Sequence, residues 1–189
     1  MGLPPVGSTL RLPEQPGQRA SITVTATFSK CSHSVSALAR TPGAWAALRA
    51  RPELLPSAVE EALRFDPPTQ RSQRFASESL ELGGRVIPRG ALIVPVLGSA
   101  NRDPAVFAQP DRFDPARDSR AALTFGGGIH ACLGAWLARL ELRVAFAALG
   151  ARYSQLALTG EPLEWRETAA RGLRRLRVEG TLATCSPPT

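Results

Sequence analysis

Several residue types are scarce in this sequence at once. Lys30 is its only lysine, Tyr153 its only tyrosine and Met1 its only methionine. No apolar run approaches the ~20 residues of a membrane-crossing helix, so no span is expected. Met1 to Leu10 lacks a charged region followed by an apolar block and does not read as a secretory leader. The expected location is the cytoplasm. Cysteine is limited to Cys31, Cys132 and Cys185. An odd count at wide spacing argues against a disulfide framework, and without a CxxC pair a structural zinc site is not expected. One of the three needs another explanation.

What is abundant is arginine. The formal charge is +7 and nearly all the positive charge is guanidinium. Arginine favours bidentate carboxylate and phosphate partners, so a basic surface using Arg166, Arg171, Arg174, Arg175 and Arg177 is the nucleic-acid alternative. No five or six like charges stand in succession, and basicity speaks to solubility rather than fold; no nucleic acid is expected. Hydrophobic residues make up 43% of the 189 and charged ones 21%, enough for a buried core.

Residues 1–35 are rich in Pro, Gly, Ser and Thr and read as an atypical, poorly ordered segment, in which Ile22 to Phe28 could form a strand. From Ser36 the pattern becomes regular. Thr41-Pro42 reads as a helix start, with a helix running to Arg51-Pro52. Leu55 to Phe65 reads as a second helix with Val59, Ala62 and Leu63 on its apolar stripe. Short strands follow at Leu80 to Leu82 and Arg85 to Ile87 about a Gly83-Gly84 turn, then at Ala91 to Leu97. Residues 98–124 read as a long irregular meander. A strong helix is predicted from Leu133 to Leu149, with Leu133, Trp136, Leu137, Leu140, Val144 and Ala148 on one face and Gly150 as its cap. Tyr153 to Val178 suggests short strands around a loop, and 181–189 a disordered tail.

Cys132 has a glycine-rich loop before it and a helix just after it. Helix N-terminal N–H groups stabilise a thiolate, and glycines let a flat ligand approach the backbone. Thiolate ligation is one way to hold haem iron; a lone cysteine is otherwise a small buried hydrophobe.

The surrounding residues decide between the two. Phe125-Gly126-Gly127-Gly128-Ile129-His130-Ala131-Cys132-Leu133-Gly134 resembles the haem-binding loop of the cytochrome P450 family, bacterial type. Ala138-Arg139-Leu140-Glu141 resembles the helix that follows it. Glu61-Ala62-Leu63-Arg64 resembles the family's Glu-x-x-Arg motif, and Pro110-Asp111-Arg112-Phe113 its meander motif. The resemblance runs from about Ser36 to Val178 and implies a mainly α fold with small β-sheets, the C-terminal part of the P450 fold over residues 36–180.

That resemblance implies haem b as cofactor and Cys132 as the iron ligand. Phe125 would pack near the sulfur, with Gly128 and Gly134 shaping the loop. His130 and Arg74 would meet the haem propionates, Arg71 being the alternative to Arg74. Glu61, Arg64 and Arg112 would form a buried structural network. The implied activity is monooxygenation of a small organic substrate, with electrons from a ferredoxin-type donor and an NAD(P)H-dependent reductase. Ala169 and Ala170 match a region that touches substrate.

The sequence departs from the family towards its start. Counting back from Glu61 puts the distal-helix motif near Ile22 to Thr27, where its glycine and acid are absent; Thr27 stands where the alcohol belongs. A truncated or altered product is expected, with much exposed apolar surface, and the alternative function is a non-catalytic remnant that binds haem weakly or not at all.

Overall fold

The computed structural model describes residues 17–25, 29–166 and 171–183. Its fold is mainly α with small sheets. Strand β1 (Arg19–Thr25) leads to α1 (Ser29–Arg40), α2 (Ala44–Ala50) and α3 (Leu55–Phe65). Two two-stranded sheets follow: β2 (Arg74–Phe75) pairs with β5 (Leu92–Ile93), and β3 (Leu80–Leu82) with β4 (Arg85–Ile87). A short helix α4 (Leu97–Ala100) opens the meander. Helix α5 (Ala135–Arg152) then runs into β6 (Tyr153–Leu158), β7 (Glu164–Arg166) and β8 (Gly172–Leu182).

The core lies where α1, α3 and α5 meet the sheet built on β8. That strand pairs antiparallel with β1, β6 and β7. Leu176, Val178 and Gly180 of β8 alternate inward, as the two-residue period of a strand requires. Leu176 and Val178 join Leu38 of α1, Val59 and Leu63 of α3, and Leu142 and Phe146 of α5 in one buried cluster. Gly180 is small of necessity: a Cβ there would lie 2.5 Å from Tyr153 Cδ1. Among the described residues, no helix is long and apolar enough to cross a membrane.

Four expectations are corrected. The boundary at residue 35 falls inside α1, and Ser32 to Leu38 are buried. Their serines and alanine are small, so α1 packs closely without the apolar stripe that sequence reading seeks. The tail does not begin at Thr181, which pairs with both Arg19 and Gln155. Thr41 does not open α2; its hydroxyl donates to the Ala37 carbonyl at 2.9 Å, and Gly43, at φ +77°, precedes the helix instead. Within Ala91 to Leu97 the regular strand is confined to Leu92–Ile93, and α4 begins at Leu97.

The largest surprise is the orientation of α5. The stripe of Leu133, Trp136, Leu137, Leu140 and Val144 is exposed, and Ala135, Ala138, Leu142 and Phe146 face the core instead. This helix is apolar on two sides, so spacing alone does not select the buried one. Packing against α3 selects it. Arg139 reaches Glu60 of α3 at 2.6 Å and lies over the Phe125 ring, which fixes the rotation of α5.

Candidate functional site

The loop that carries Cys132 is built by local hydrogen bonds. Gly126 N–H donates to the Leu123 carbonyl at 2.9 Å, and Cys132 N–H to the Phe125 carbonyl at 2.8 Å. Ala131 N–H closes the short 3-10 turn Gly128–His130 on the Gly128 carbonyl. Gly126 and Gly128 hold φ of +69° and +60°, a region that side chains disfavour. The chain thus folds back on itself and presents Cys132 just before α5 begins at Ala135.

A cavity of about 260 Å³ opens over this loop. Thr124, Phe125, Gly126, His130 and Cys132 of this loop line it. The rest of its wall comes from Thr69, Arg71, Ser72 and Arg74, together with Pro95 and Leu97. The β2–β5 ladder joins the two segments of that wall, and bonds from Ser72 N to Pro95 O (3.0 Å) and Gly98 N to Gln70 O (3.0 Å) extend it. Arg74 is held by its own strand: Nη1 donates to Ser72 Oγ and to the Gln73 carbonyl, each at 2.7 Å. The structure therefore brings Cys132, His130, Phe125 and Arg74 to one cavity, and Arg71 with them. Gly128 shapes the loop without lining the cavity. Gly134 stands at φ −83°, and a Cβ there would come 4.0 Å from the Cys132 sulfur.

A buried ionic network connects to the cavity through its lining residue Thr124. Glu61 and Arg64 are both fully buried on α3. Arg64 donates from Nε to Glu61 Oε2 at 2.7 Å and from Nη2 to Oε1 at 2.9 Å. Its Nη1 donates to the Asn101 carbonyl at 2.7 Å. The Asn101 side chain relays this order: Nδ2 donates to Thr124 Oγ1 at 3.0 Å, and Oδ1 accepts Leu123 N–H at 2.7 Å. Thr124 Oγ in turn donates to the Leu63 carbonyl at 2.8 Å. Two routes, one direct from Leu63 and one from Arg64 through Asn101, thus join α3 to Thr124, the residue preceding Phe125.

The meander arginine is a correction. Arg112 donates to Gln109 Oε1 at 3.3 Å and does not reach Glu61. Arg117 does, with Nε 3.2 Å from Glu61 Oε1. Its other nitrogens donate to the carbonyls of Ala108, Gln109 and Arg112. Asp114 N–H and Ser119 Oγ–H complete the carboxylate's partners. The segment around Pro115 turns Arg117 inward and leaves Arg112 at the surface. Only its position five residues further along the same meander could have drawn attention to Arg117.

Sequence reading also missed a second charged node. Asp66, just beyond α3, accepts Arg171 Nη1 at 2.8 Å and Arg40 Nη2 at 3.4 Å. His33 Nδ1 lies 3.5 Å from its Oδ2 and 3.2 Å from its backbone carbonyl. Burial pushes the Asp66 carboxyl up. The His33 hydrogen bond and the charges of His33, Arg171 and Arg40 outweigh it and hold the group below its ordinary range. Arg171 N–H also donates to the Pro68 carbonyl at 2.9 Å, so this node steadies the start of the cavity wall at residues 69–74. Thr27, Ala169, Ala170 and Cys185 lie outside the described residues.

The residues present suit a flat, dianionic, iron-bearing ligand. An exposed sulfur, an apolar ring, two arginines and a histidine line the same cavity, and glycine lets the backbone come close. The comparisons agree. The family model described as Cytochrome P450 matches residues 41–167. Nocardicin C N-oxygenase of Nocardia uniformis is 46% identical over 145 residues, covering 75% of this chain and 36% of that protein. 6-Deoxyerythronolide B hydroxylase of Saccharopolyspora erythraea is 44% identical over 140 residues, covering 72% and 35%. The structure of cytochrome P450 CYP109Q5 from Chondromyces apiculatus superposes with a TM-score of 0.76 at 37% identity, covering 83% of this chain and 41% of that one. The chain spans little more than a third of the length of the curated relatives it matches.

Proposed function

Since the chain belongs to the cytochrome P450 family, whose members bind haem b, we propose that it holds haem iron through the Cys132 thiolate and forms the ligating part of a haem-thiolate monooxygenase. The observation that carries this reading is the shared cavity. Cys132, His130, Arg74 and Phe125 come from segments about 50 residues apart in sequence, yet all line one space of about 260 Å³. Arg74 supplies charge, and Arg74 and His130 supply donors, for the two propionates, with Arg71 three residues from Arg74 on the same wall. Phe125 covers the sulfur side with an apolar ring and limits water. The Glu61–Arg64–Arg117 network holds the loop in place through Asn101 and Thr124.

Haem held through a thiolate supplies activation of dioxygen, with electron density pushed toward O–O cleavage. The substrate class is a small organic molecule. The electrons come from a ferredoxin-type donor and an NAD(P)H-dependent reductase in the cytoplasm. The exposure of Cys132 and His130 favours a second reading for the 189 residues by themselves: haem uptake without turnover, since catalysis needs a closed and dry pocket.

The test is a CO-difference spectrum of the purified, haem-loaded and reduced chain. The thiolate-type band is expected in the wild type and is absent from Cys132→Ser. Its persistence in that variant rules out Cys132 as the ligand. Coupled NAD(P)H consumption and product formation by the chain alone would overturn the second reading.

A further inference from the structure

The Phe125 ring is in contact with a charge that does not itself line the cavity. The guanidinium carbon of Arg139 lies over that ring, 4.7 Å from its centroid. Glu60 takes the edge of the same guanidinium: Nε donates to Oε1 at 2.6 Å and Nη2 to Oε2 at 3.1 Å. Two such bonds fix the plane of the group, so it cannot turn from the ring without breaking one of them. The two side chains are only 29% and 24% exposed, which limits screening of the pair. Phe125 lines the cavity and Arg139 does not, so Arg139 acts there through the ring.

Consecutive carboxylates of α3 thus reach the Cys132 loop by separate routes. Glu61 orients Arg64, which orders Asn101 and through it Thr124. Cys132 N–H holds the Phe125 carbonyl at 2.8 Å. Those bonds fix the backbone, but the ring still turns about its own side-chain bonds. The cation of Arg139 constrains the ring itself, because the negative face of an aromatic ring attracts it.

We propose that Arg139, oriented by Glu60, is a positioning residue of this site: it holds the Phe125 ring on the cavity wall and so keeps water from the Cys132 thiolate. The proposal rests on the reading of Cys132 as haem ligand, and the two arms of the experiment separate them. The first arm uses the haem-free chain carrying 4-fluorophenylalanine, with the Phe125 fluorine resonance assigned by its loss in Phe125→Leu. Arg139→Met should shift that resonance. Glu60→Gln/Arg139→Met, which leaves no unpaired charge to unfold the chain, should shift it too. Arg139→Lys, which keeps a cation, should leave it nearer the wild-type position.

The second arm loads haem and follows the decay of the thiolate-type band of the reduced CO complex. Arg139→Met should lose the band about fivefold faster than the wild type, and Arg139→Lys less than about twofold faster, as one cation–π contact implies. In a Phe125→Leu background Arg139→Met should add nothing, since its effect runs through the ring. An unmoved Phe125 resonance in Arg139→Met overturns the proposal, as does equal acceleration with and without the ring. A lower melting temperature with resonance and band unchanged also overturns it, because Arg139 is then only a brace between α3 and α5. Absence of the thiolate band from the wild type overturns the haem reading instead, and the resonance then decides the positioning by itself.

Discussion

Arg117 donates its Nε–H to Glu61 Oε1 at 3.2 Å, across 56 residues of sequence, and pins the meander to α3. Glu61 also accepts two bonds from Arg64 and one each from Asp114 N–H and Ser119 Oγ. A buried carboxylate with that many donors is stable only while all of them stay in place.

Removing one partner of this network should therefore be costly. Glu61→Ala or Arg64→Ala is expected to destabilise by ~3–5 kcal/mol, because the other charge is left buried and unpaired. Arg117→Ala should cost ~2 kcal/mol or more, as hydrogen bonds to charged groups are worth ~1.5–3 kcal/mol. Arg112→Ala should stay within ~0.5 kcal/mol, the range of an ordinary surface change. Urea denaturation of the four variants checks the ranking; an Arg112 effect equal to that of Arg117 would reject the assignment.

Asp66 should give the protein an acid limb. Its carboxyl is held below the ordinary range, so it stays charged at lower pH in the folded chain than in the unfolded one. The stability it contributes is present above the unfolded value and lost as pH falls through the lower folded value. Urea midpoints between pH 7 and pH 2 should drop below about pH 4 in the wild type, near the ordinary carboxylate value. Asp66→Asn should be less stable at neutral pH by ~1–3 kcal/mol and should lose that part of the pH dependence.

Gly180 tests the packing of the central strand. An alanine Cβ would lie 2.5 Å from Tyr153 Cδ1, 2.9 Å from its Cγ and 3.1 Å from Ile22 Cδ1. The Tyr153 ring is buried and cannot swing aside freely. Gly180→Ala is expected to destabilise by ~1–3 kcal/mol through overpacking. A melting temperature equal to the wild type would show that the strand shifts at little cost.

Cys132→Ser separates ligation from folding. The thiol is exposed at the mouth of the cavity, so the substitution removes little buried surface. The apo chain should melt within the scatter of a surface change, about 0.5 kcal/mol, while the stabilisation that added haem confers falls sharply. Calorimetry with and without haem reads both effects.

The sequence by itself determined the features that depend on neighbours in the chain. The Leu55 to Phe65 helix, the Gly83-Gly84 hairpin, the Glu61–Arg64 pair and the loop from Phe125 to Gly134 all follow from residues a few positions apart. Local spacing fixes which of those groups can meet, so it could be read directly. Tertiary structure decided the rest. It selected Arg117 over Arg112, turned Leu142 and Phe146 inward instead of Trp136 and Leu140, and laid β1 along β8 with α1 buried beside it. In each case the local pattern allowed two answers: two arginines on one meander, two apolar sides on one helix, a serine-rich stretch able to pack or to stay solvated. The choice depended on which side met a distant partner, and that partner's position is a property of the folded chain.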